Sequence, residues 1–170
     1  QLKTPIGLTV PPLRMRYTIG NQVRQVECEL FAQMVKPLGI TVQVTPTDDL
    51  GATTSRGDYD IIVFAWVASP FPYANAVQIW GTGQGNNVGR YSNLDVDRLI
   101  TAAGSQTDES VAKETLNAAD RRLTKDAYVL PLYQKPTFIA LYDNIANVRN
   151  NSTVDAPPYN VAQWGFRAAG

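Results

Sequence analysis

Few residues of this chain could take part in chemistry, and histidine is not among them. The 170-residue sequence contains no histidine and a single cysteine, Cys28. Histidine is the usual general base and the commonest metal ligand, so most catalytic and metal-binding arrangements are missing. Cys28 falls inside a predicted helix without an imidazole to activate it or a second cysteine to pair with it. We therefore predict that the chain is not an enzyme and that it uses no metal and no cofactor.

Two pairs of aspartates have the D-x-D spacing that can bind a hard cation. They are Asp58 with Asp60, and Asp95 with Asp97. The first pair flanks the start of an apolar strand, and the second pair falls in the first turn of a predicted helix, where carboxylates suit the helix dipole. A structural role is therefore the better interpretation of both pairs.

A glycine-rich segment at residues 81–89 invites comparison with phosphate-binding loops. Its glycines stand at positions 81, 83 and 85. A dinucleotide fingerprint needs a further glycine where Asn86 stands, and it must follow a strand and open a helix. Neither condition holds here, so the segment predicts a long mobile loop.

The best candidates for binding follow an apolar stretch at residues 60–68. This stretch is rich in β-branched and aromatic residues, which predicts a strand buried on both faces of a parallel sheet. Open α/β sheets bind ligands at the carboxyl ends of their strands. Trp66 and Trp80 fit either a core or a site. The aromatic and polar residues that follow the strand end favour a pocket: Ser69, Phe71, Tyr73 and Asn75.

The elements that must position these residues alternate between strand and helix. Apolar patterns predict strands at 13–19, 40–45 and 59–67, with one helix capped by Asn21 and a short helix near 48–56 between them. If the two crossovers run to opposite sides, the strands are parallel and lie in the order 2-1-3. The first helix has one apolar face, formed by Val23, Val26, Leu30, Met34 and Leu38.

The second half of the chain predicts two amphipathic helices and two short strands. The helices are capped by Asn93 and Asp108, and the strands are expected at 129–134 and 137–142. The tail from Asn144 has little periodicity, but its large aromatics are expected to pack. The second helix carries an apolar face of Ala112, Leu116, Ala119 and Leu123, and the aromatics of the tail are Trp164 and Phe166.

Composition and charge favour one globular domain with a small or neutral ligand. Hydrophobic residues make up 44% of the chain, and 15 basic residues balance 15 acidic ones. This balance leaves no basic surface that would suggest nucleic acid. No apolar run approaches the ~18 residues of a membrane span. Because the sequence starts at Gln1 without a signal peptide, we expect it to be processed or cut from a longer chain.

Several short motifs occur in the order and spacing of a known family. With the order of elements, they resemble the C-terminal lobe of the family 5 extracellular solute-binding proteins, the oligopeptide, dipeptide and nickel receptors of ABC importers. The resemblance covers about residues 13–142. The motifs are Leu38-Gly39-Ile40-Thr41-Val42, Tyr59-Asp60 with Ala65-Trp66, Tyr91-Ser92-Asn93 before a helix, and Val129-Leu130-Pro131-Leu132-Tyr133.

The resemblance implies a type II periplasmic-binding-protein-like lobe with a mainly parallel sheet flanked by helices. Residues 1–170 would form this single α/β lobe, and the extended segments 1–12 and 144–170 would connect it to a missing second lobe. Members of the family are longer and close two lobes around a ligand, after which they dock on permease subunits. The implied location is extracytoplasmic, either periplasmic or as a cell-surface lipoprotein.

The implied function is the non-catalytic binding of a peptide or another small uncharged or extended solute. The family engages extended ligands through main-chain hydrogen bonds, so the resemblance implies that the main chain from Ala65 to Ser69 faces the cleft, which adds Ala65, Trp66 and Val67 to the predicted site. No nucleic acid is implied as a partner. The alternative is an effector-binding domain of a transcriptional regulator with the same fold, which an upstream helix-turn-helix would favour.

One position departs from the peptide receptors of the family. These commonly read W-x-A-D, with the aspartate pairing the α-amino group of the peptide, whereas this chain reads Trp66-Val67-Ala68-Ser69. A neutral hydroxyl cannot replace that ion pair. We therefore expect a capped peptide, a glycoside or another uncharged ligand. Nickel is disfavoured because the chain offers no imidazole.

Overall fold

The first half of the chain forms a parallel sheet in the order predicted from the sequence. The computed structural model describes residues 3–167. The chain forms two compact units, Gln1–Trp66 and Val67–Gly170. In the first unit three parallel strands lie in the order β2-β1-β3. They are β1 (Leu13–Thr18), β2 (Val42–Thr47) and β3 (Ile61–Val63).

Two α-helices connect these strands, and both begin at the side-chain caps that polar residues provide. The Oδ1 atom of Asn21 accepts a hydrogen bond from the amide of Arg24 at 3.1 Å. Asp49 caps the second helix in the same way. Such caps satisfy amides that have no partner within the helix. The helices are α1 (Gln22–Val35), which continues into the 3-10 helix Lys36–Leu38, and α2 (Leu50–Arg56).

The core of the first unit lies between α1 and the sheet, but the predicted apolar face of α1 does not form it. Cys28 is fully buried and clusters with Met15 and Tyr17. The five predicted face residues are between 52% and 76% exposed. The helix has apolar side chains on two sides. The helical spacing of apolar residues predicts that an apolar face exists, but it does not say which of the two faces packs against the sheet.

The third strand is shorter and more exposed than the prediction of a strand at 59–67 buried on both faces. Its ladder with β1 covers only Ile61–Val63, and its side chains are half-buried. Within residues 3–167 this strand stands at the edge of the sheet, with β1 as its one neighbour. An edge strand cannot be enclosed as a central strand is, and that explains the difference.

The second unit is built on three helices. The caps predicted at Asn93 and Asp108 are confirmed, and the predicted face of the last helix is buried or half-buried. The first of the three was not predicted, although Pro72 at its first position is typical of helix starts. The helices are α3 (Pro72–Trp80), α4 (Leu94–Gly104) and α5 (Glu109–Lys125), and their shared core contains Ala76, Val96, Ile100, Ala119 and Leu123.

The predicted strands at 129–134 and 137–142 do not form, because a strand needs a partner. Within the described range, 3–167, neither segment is paired in a sheet. The unit instead closes with β4 (Ile145–Ala146) antiparallel to β5 (Gly165–Phe166). The 3-10 helix Pro157–Gln163 precedes β5.

The two tail aromatics differ in environment. The indole Nε1 of Trp164 donates to Oδ1 of Asn160 at 2.9 Å, so this ring is held in place. Phe166 is 79% exposed, and the expectation that it packs was wrong.

Both predicted connecting segments contain local structure. Lys3 and Thr9 form an isolated antiparallel bridge that closes a small loop. The second segment contains β4, the 3-10 helix and β5. Parts of these segments, residues 1–2 and 168–170, lie outside the described residues. Their role as connections to a second lobe stays a prediction, as does the single-lobe organisation of residues 1–170.

The glycine-rich segment is a loop, as predicted, but hydrogen bonds order it. Asn87 is buried, and its Nδ2 donates to the carbonyl oxygens of Gly81 and Tyr91 at 3.0 and 2.7 Å. Its Oδ1 accepts from the amide of Tyr91 at 3.0 Å and from the hydroxyl of Tyr128 at 3.3 Å. One buried amide side chain therefore ties together both ends of the loop, which argues against the predicted mobility.

Candidate ligand-binding site

The carboxyl ends of β1 and β3 are neighbours because the strand order places them side by side. In such sheets a ligand site forms where the chain crosses to opposite faces after adjacent strands. A depression open to solvent lies at the end of β1 and is lined by residues 18–23. There the Nη1 of Arg24 donates to the hydroxyl of Thr18 at 2.9 Å. The sequence analysis did not single out the segment after β1. The rule that ligands bind at the carboxyl ends of parallel strands, applied to the Gly20-Asn21 turn, would have found it.

Two of the predicted site residues, Ala65 and Trp66, lie in the first unit beyond the end of β3. Ala65 is exposed, and Trp66 is 43% exposed. The Trp66 ring meets Phe64 edge-on, with ring centroids 5.1 Å apart and planes at 78°. An indole with this exposure is not a core side chain. Of the two roles that the sequence left open for Trp66, core or site, the core role is therefore excluded. Trp80, by contrast, packs against the core of the second unit.

The other five predicted site residues form one continuous segment at the start of the second unit. Val67 is exposed, and Phe71 is 71% exposed. The Oγ of Ser69 accepts from the amide of Phe71 at 3.1 Å, a local turn that leads the chain into α3. The carbonyl oxygen of Ala68 accepts from the amide of Val154 at 3.0 Å. The tail therefore already uses one of the main-chain groups expected to face a ligand.

The two remaining residues, Tyr73 and Asn75, belong to the first turn of α3 and not to a loop. Both are half-buried. The amide of Asn75 donates to the carbonyl of Phe71 at 3.0 Å, the first intrahelical hydrogen bond. The Cβ of Tyr73 lies beside Gly104 at the end of α4. This packing fixes the direction in which the start of α3 presents its side chains.

The first D-x-D pair is occupied by arginines. Nη1 of Arg14 lies 2.8 Å from Asp58, and Nη2 lies 3.1 Å from Asp60. Arg16 pairs with Asp58 at 3.0 Å. Hydrogen bonds from Arg14 lower the pKa of Asp60. These carboxylates tie the starts of β1 and β3 together, at the end of the sheet opposite to the carboxyl end of β3.

The second D-x-D pair has the structural role predicted for it. Asp95 and Asp97 lie in the first turn of α4. Asp95 pairs with Arg98 at 3.2 Å, and Oδ1 of Asp97 accepts from the amide of Thr82 at 2.9 Å. Within residues 3–167 there is no group of three or more metal-ligating side chains of the His, Cys, Asp or Glu type.

The Tyr91-Ser92-Asn93 motif joins two helices. The Tyr91 hydroxyl and the Asn93 Nδ2 each donate to Oδ2 of Asp126, both at 2.7 Å. Both hydrogen bonds lower the pKa of Asp126, and the one from Tyr91 has the larger effect. Since Asn93 caps α4 and Asp126 follows α5, the motif fastens the start of one helix to the end of the other.

Cys28 is unsuited to nucleophilic chemistry. Its side chain is fully buried, and burial, followed by the neighbouring charges of Glu27 and Glu29, raises the pKa of its thiol to about 11. Such a thiol stays protonated near neutral pH. No helix within the described range is long and apolar enough to cross a membrane.

Comparison with known proteins identifies the family. Residues 2–88 match the model of bacterial extracellular solute-binding proteins, family 5, middle region. The chain is 29% identical to the oligopeptide-binding protein OppA of Mycobacterium tuberculosis (strain ATCC 25618 / H37Rv), over 54% of this chain and 15% of OppA. It is also 29% identical to the probable peptide-binding protein YejA of Agrobacterium fabrum (strain C58 / ATCC 33970), over 92% of this chain and 26% of YejA.

A solved structure has the same fold along almost the whole chain. The periplasmic EDTA-binding protein EppA superposes with a TM-score of 0.86 and 24% identity, over 98% of this chain and 32% of EppA. This likeness shows the type II periplasmic-binding-protein-like α/β fold. The chain spans less than a third of the length of each of these three proteins.

The protein class defined by this fold and by the family match is a solute-binding one. The chain belongs to the family 5 bacterial extracellular solute-binding proteins. The membership of this family that the motifs indicated is therefore confirmed. The protein is extracytoplasmic. The family match does not favour the alternative of a regulator's effector domain.

Proposed function

We propose that this chain is a non-catalytic lobe of an ABC importer receptor that supplies half of a solute-binding cleft. The observation that carries the proposal is the family match over residues 2–88, which includes the predicted ligand segment. The lack of histidine and the protonated state of Cys28 support a binding role over a catalytic one. The partners would be a second lobe and permease subunits.

The proposed ligand contacts lie just beyond β3 and at the start of α3. Exposed side chains there offer apolar area, chiefly Trp66 in the first unit and Phe71 in the second. Main-chain groups of Ala65 and Val67 would bind an extended ligand as an added strand does. The carbonyl of Ala68 is left out of this set because it accepts from Val154. Selectivity would fall to Ser69, Phe71, Tyr73 and Asn75.

The proposed ligand class is an extended solute without a free amino group at the Ser69 position. Two relatives carry names that describe oligopeptide or peptide binding, which supports an extended ligand. Ser69 presents a hydroxyl where a carboxylate would be needed to pair an ammonium group, and an unpaired charge is unfavourable in a closed cleft. A capped peptide or another uncharged solute meets both conditions.

Binding by the isolated chain tests the half-cleft part of the proposal. A cleft that encloses most of a ligand needs both lobes, so we expect weak or no binding of free and N-acetylated peptides by residues 1–170 alone. Isothermal titration calorimetry measures this directly. Submicromolar affinity would show that one lobe suffices and would refute the account.

Substitutions in a parent chain that supplies the second lobe test the contacts. Phe71→Ala is expected to weaken binding by about 1–3 kcal/mol, the usual loss for a buried aromatic contact. Ser69→Asp is expected to shift preference toward ligands with a free amine. Competition between free and N-acetylated peptides measures that shift, with Ser55→Asp as a control that makes the same substitution at an exposed position of α2. An unchanged ratio with Ser69→Asp would exclude Ser69 from the amino-end pocket.

A further inference from the structure

Asparagine side chains make several of the hydrogen bonds that order the tail of the second unit. Most of them bond to main-chain groups, as the Nδ2 of Asn150 does when it donates to the carbonyl of Thr137 at 3.1 Å. The abundance of asparagine in this part of the sequence therefore has a structural role. The asparagines with such side-chain bonds are Asn147, Asn150, Asn151 and Asn160.

Asn151 shapes the part of the tail that reaches the predicted ligand segment. Its Oδ1 accepts from the amide of Thr153 at 2.9 Å and from the hydroxyl of Thr153 at 2.8 Å. Asparagine side chains often form such turns with the residue two positions further on. The carbonyl of Thr153 then accepts from the amide of Ala156 at 3.0 Å, which closes a second turn. We call residues 151–156, which contain both turns, the brace.

The backbone at Ala156 indicates that the brace is held firmly. Its φ of 51° and ψ of −170° lie in a region that glycine adopts readily and alanine does not. A residue in this region costs free energy and persists only where the surrounding contacts hold it. One such contact is its bond to Thr153, and another is the bond that its carbonyl accepts from the amide of Tyr159 at 3.3 Å.

The brace holds the main chain of Ala68. Ala68 and Thr153 form an isolated parallel bridge, and the amide of Val154 donates to the carbonyl of Ala68 at 3.0 Å. In a parallel pairing, one residue directs its main-chain groups to the neighbouring strand, and the residue beside it directs its groups to the opposite edge. The main chain of Val67 therefore points away from the brace. A ligand that adds as a strand at Val67 would not compete with the tail.

We propose that Asn151 is a positioning residue for ligand binding, because the brace that it forms holds Ala68 and so fixes Val67 and Ser69 on either side of it. This inference rests on the proposed function, in which the main chain of Val67 and the hydroxyl of Ser69 face the ligand. Asn151 acts through Ala68 and makes no ligand contact itself. The brace arranges the segment before the ligand arrives, so less order has to be created on binding.

Amide hydrogen exchange in the 170-residue chain tests the brace without any ligand. Asn151→Ala removes both hydrogen bonds that Thr153 donates to Asn151, so we expect exchange of the Val154 amide to accelerate about tenfold or more. Asn151→Asp keeps an oxygen that accepts the same two bonds and is expected to keep the wild-type rate. The matched control is Asn150→Ala, which removes the bond to Thr137 and is expected to leave the Val154 rate unchanged.

Binding by a parent chain that supplies the second lobe tests the positioning role. Isothermal titration calorimetry with the N-acetylated peptides of the competition assay is expected to show a Kd about tenfold higher for Asn151→Ala, because the loosened segment must be ordered on binding. Asn151→Asp and Asn150→Ala are expected to keep the wild-type Kd. Rescue by aspartate would show that binding depends on the acceptor at position 151.

The possible failures of the inference differ from a failure of the proposed function. If Asn151→Ala leaves the exchange of the Val154 amide unchanged, Asn151 does not hold the brace. If the exchange accelerates but the Kd of the parent chain stays the same, the brace does not position the ligand segment. Either result overturns the inference and leaves the proposed function standing. A wild-type parent chain that binds no peptide would contradict the proposed ligand class, and with it the positioning role.

Discussion

Replacing Asn87 by alanine tests how much one buried side chain contributes to the second unit. The side-chain amide of Asn87 makes three hydrogen bonds within the loop that runs from α3 to α4 and a fourth with the hydroxyl of Tyr128, which follows α5. Three of them, to Gly81 and Tyr91, have lengths of 2.7 to 3.0 Å, and the fourth, from Tyr128, is 3.3 Å. Alanine would remove all four and leave the main-chain groups of Tyr91 without these partners.

The size of the effect follows from the number of well-formed bonds. Each hydrogen bond contributes roughly 0.5–1.5 kcal/mol net, and a buried group left without a partner loses more. The carbonyl of Gly81 keeps a second donor, the amide of Gln84 at 3.2 Å, so its loss is smaller. We expect Asn87→Ala to lower the free energy of unfolding by about 2–4 kcal/mol. At roughly 2–4 °C per kcal/mol, the melting temperature falls by about 5–15 °C.

Urea denaturation followed by circular dichroism measures this free energy. Asn86→Ala is the matched control, because the neighbouring asparagine is exposed, and we expect its effect to stay within about 0.5 kcal/mol. If Asn87→Ala is no more destabilising than Asn86→Ala, the loop is not held by the buried amide and the reasoning fails.

Three other perturbations have outcomes that the structure determines. Gly89→Ala places a Cβ on the ring of Tyr128, so we expect a loss of about 1–3 kcal/mol in the free energy of unfolding, measured in urea. Hydrogen bonds from Arg14 lower the pKa of Asp60, so its ionised form stabilises the fold above the ordinary carboxyl pKa, and this contribution is lost as pH falls through the lower folded value. Asp60→Asn is therefore expected to flatten the acid limb of the stability–pH profile below about pH 5. Cys28 is expected to react with a thiol reagent at neutral pH only after unfolding, because burial raises its pKa to about 11.

Each of these has its own control. Gly85→Ala adds a Cβ that meets nothing within 4 Å and should leave stability almost unchanged. Asp48→Asn alters an exposed aspartate and should keep the acid limb of the profile. Rapid labelling of Cys28 in the native chain would contradict its burial.

The position of the candidate site is a prediction from the sequence, and the structure adds the local geometry of its residues. The apolar run ending near Val67, followed by polar and aromatic residues, predicts the site after β3. The helix α3 was not predicted, so the position of Tyr73 and Asn75 in its first turn was not predicted either. The hydrogen bond from Val154 to Ala68 joins positions far apart in the chain, and no local pattern indicates it. Whether these residues hold a ligand stays a prediction.

The sequence by itself determined the features that depend on neighbouring residues. The caps at Asn21, Asn93 and Asp108 act within the first turn of their own helices. The parallel direction of the strands follows from the alternation of strand and helix. These features need no knowledge of what lies across the molecule. The strand order 2-1-3 also required that the second crossover run to the other side of β1, a condition that the structure meets.

Only the tertiary structure decided which surfaces become interior. Two sides of α1 are apolar, and packing chose the side of Cys28 over the stripe that includes Leu30 and Met34. The segment at 137–142 has strand composition, yet it forms no strand because pairing depends on a second segment at the right place. Burial and pairing are properties of two elements that meet. The pattern within one element therefore predicts that a helix has an apolar face or that a segment can form a strand. Which face is buried, and whether the strand is paired, depends on the neighbouring element.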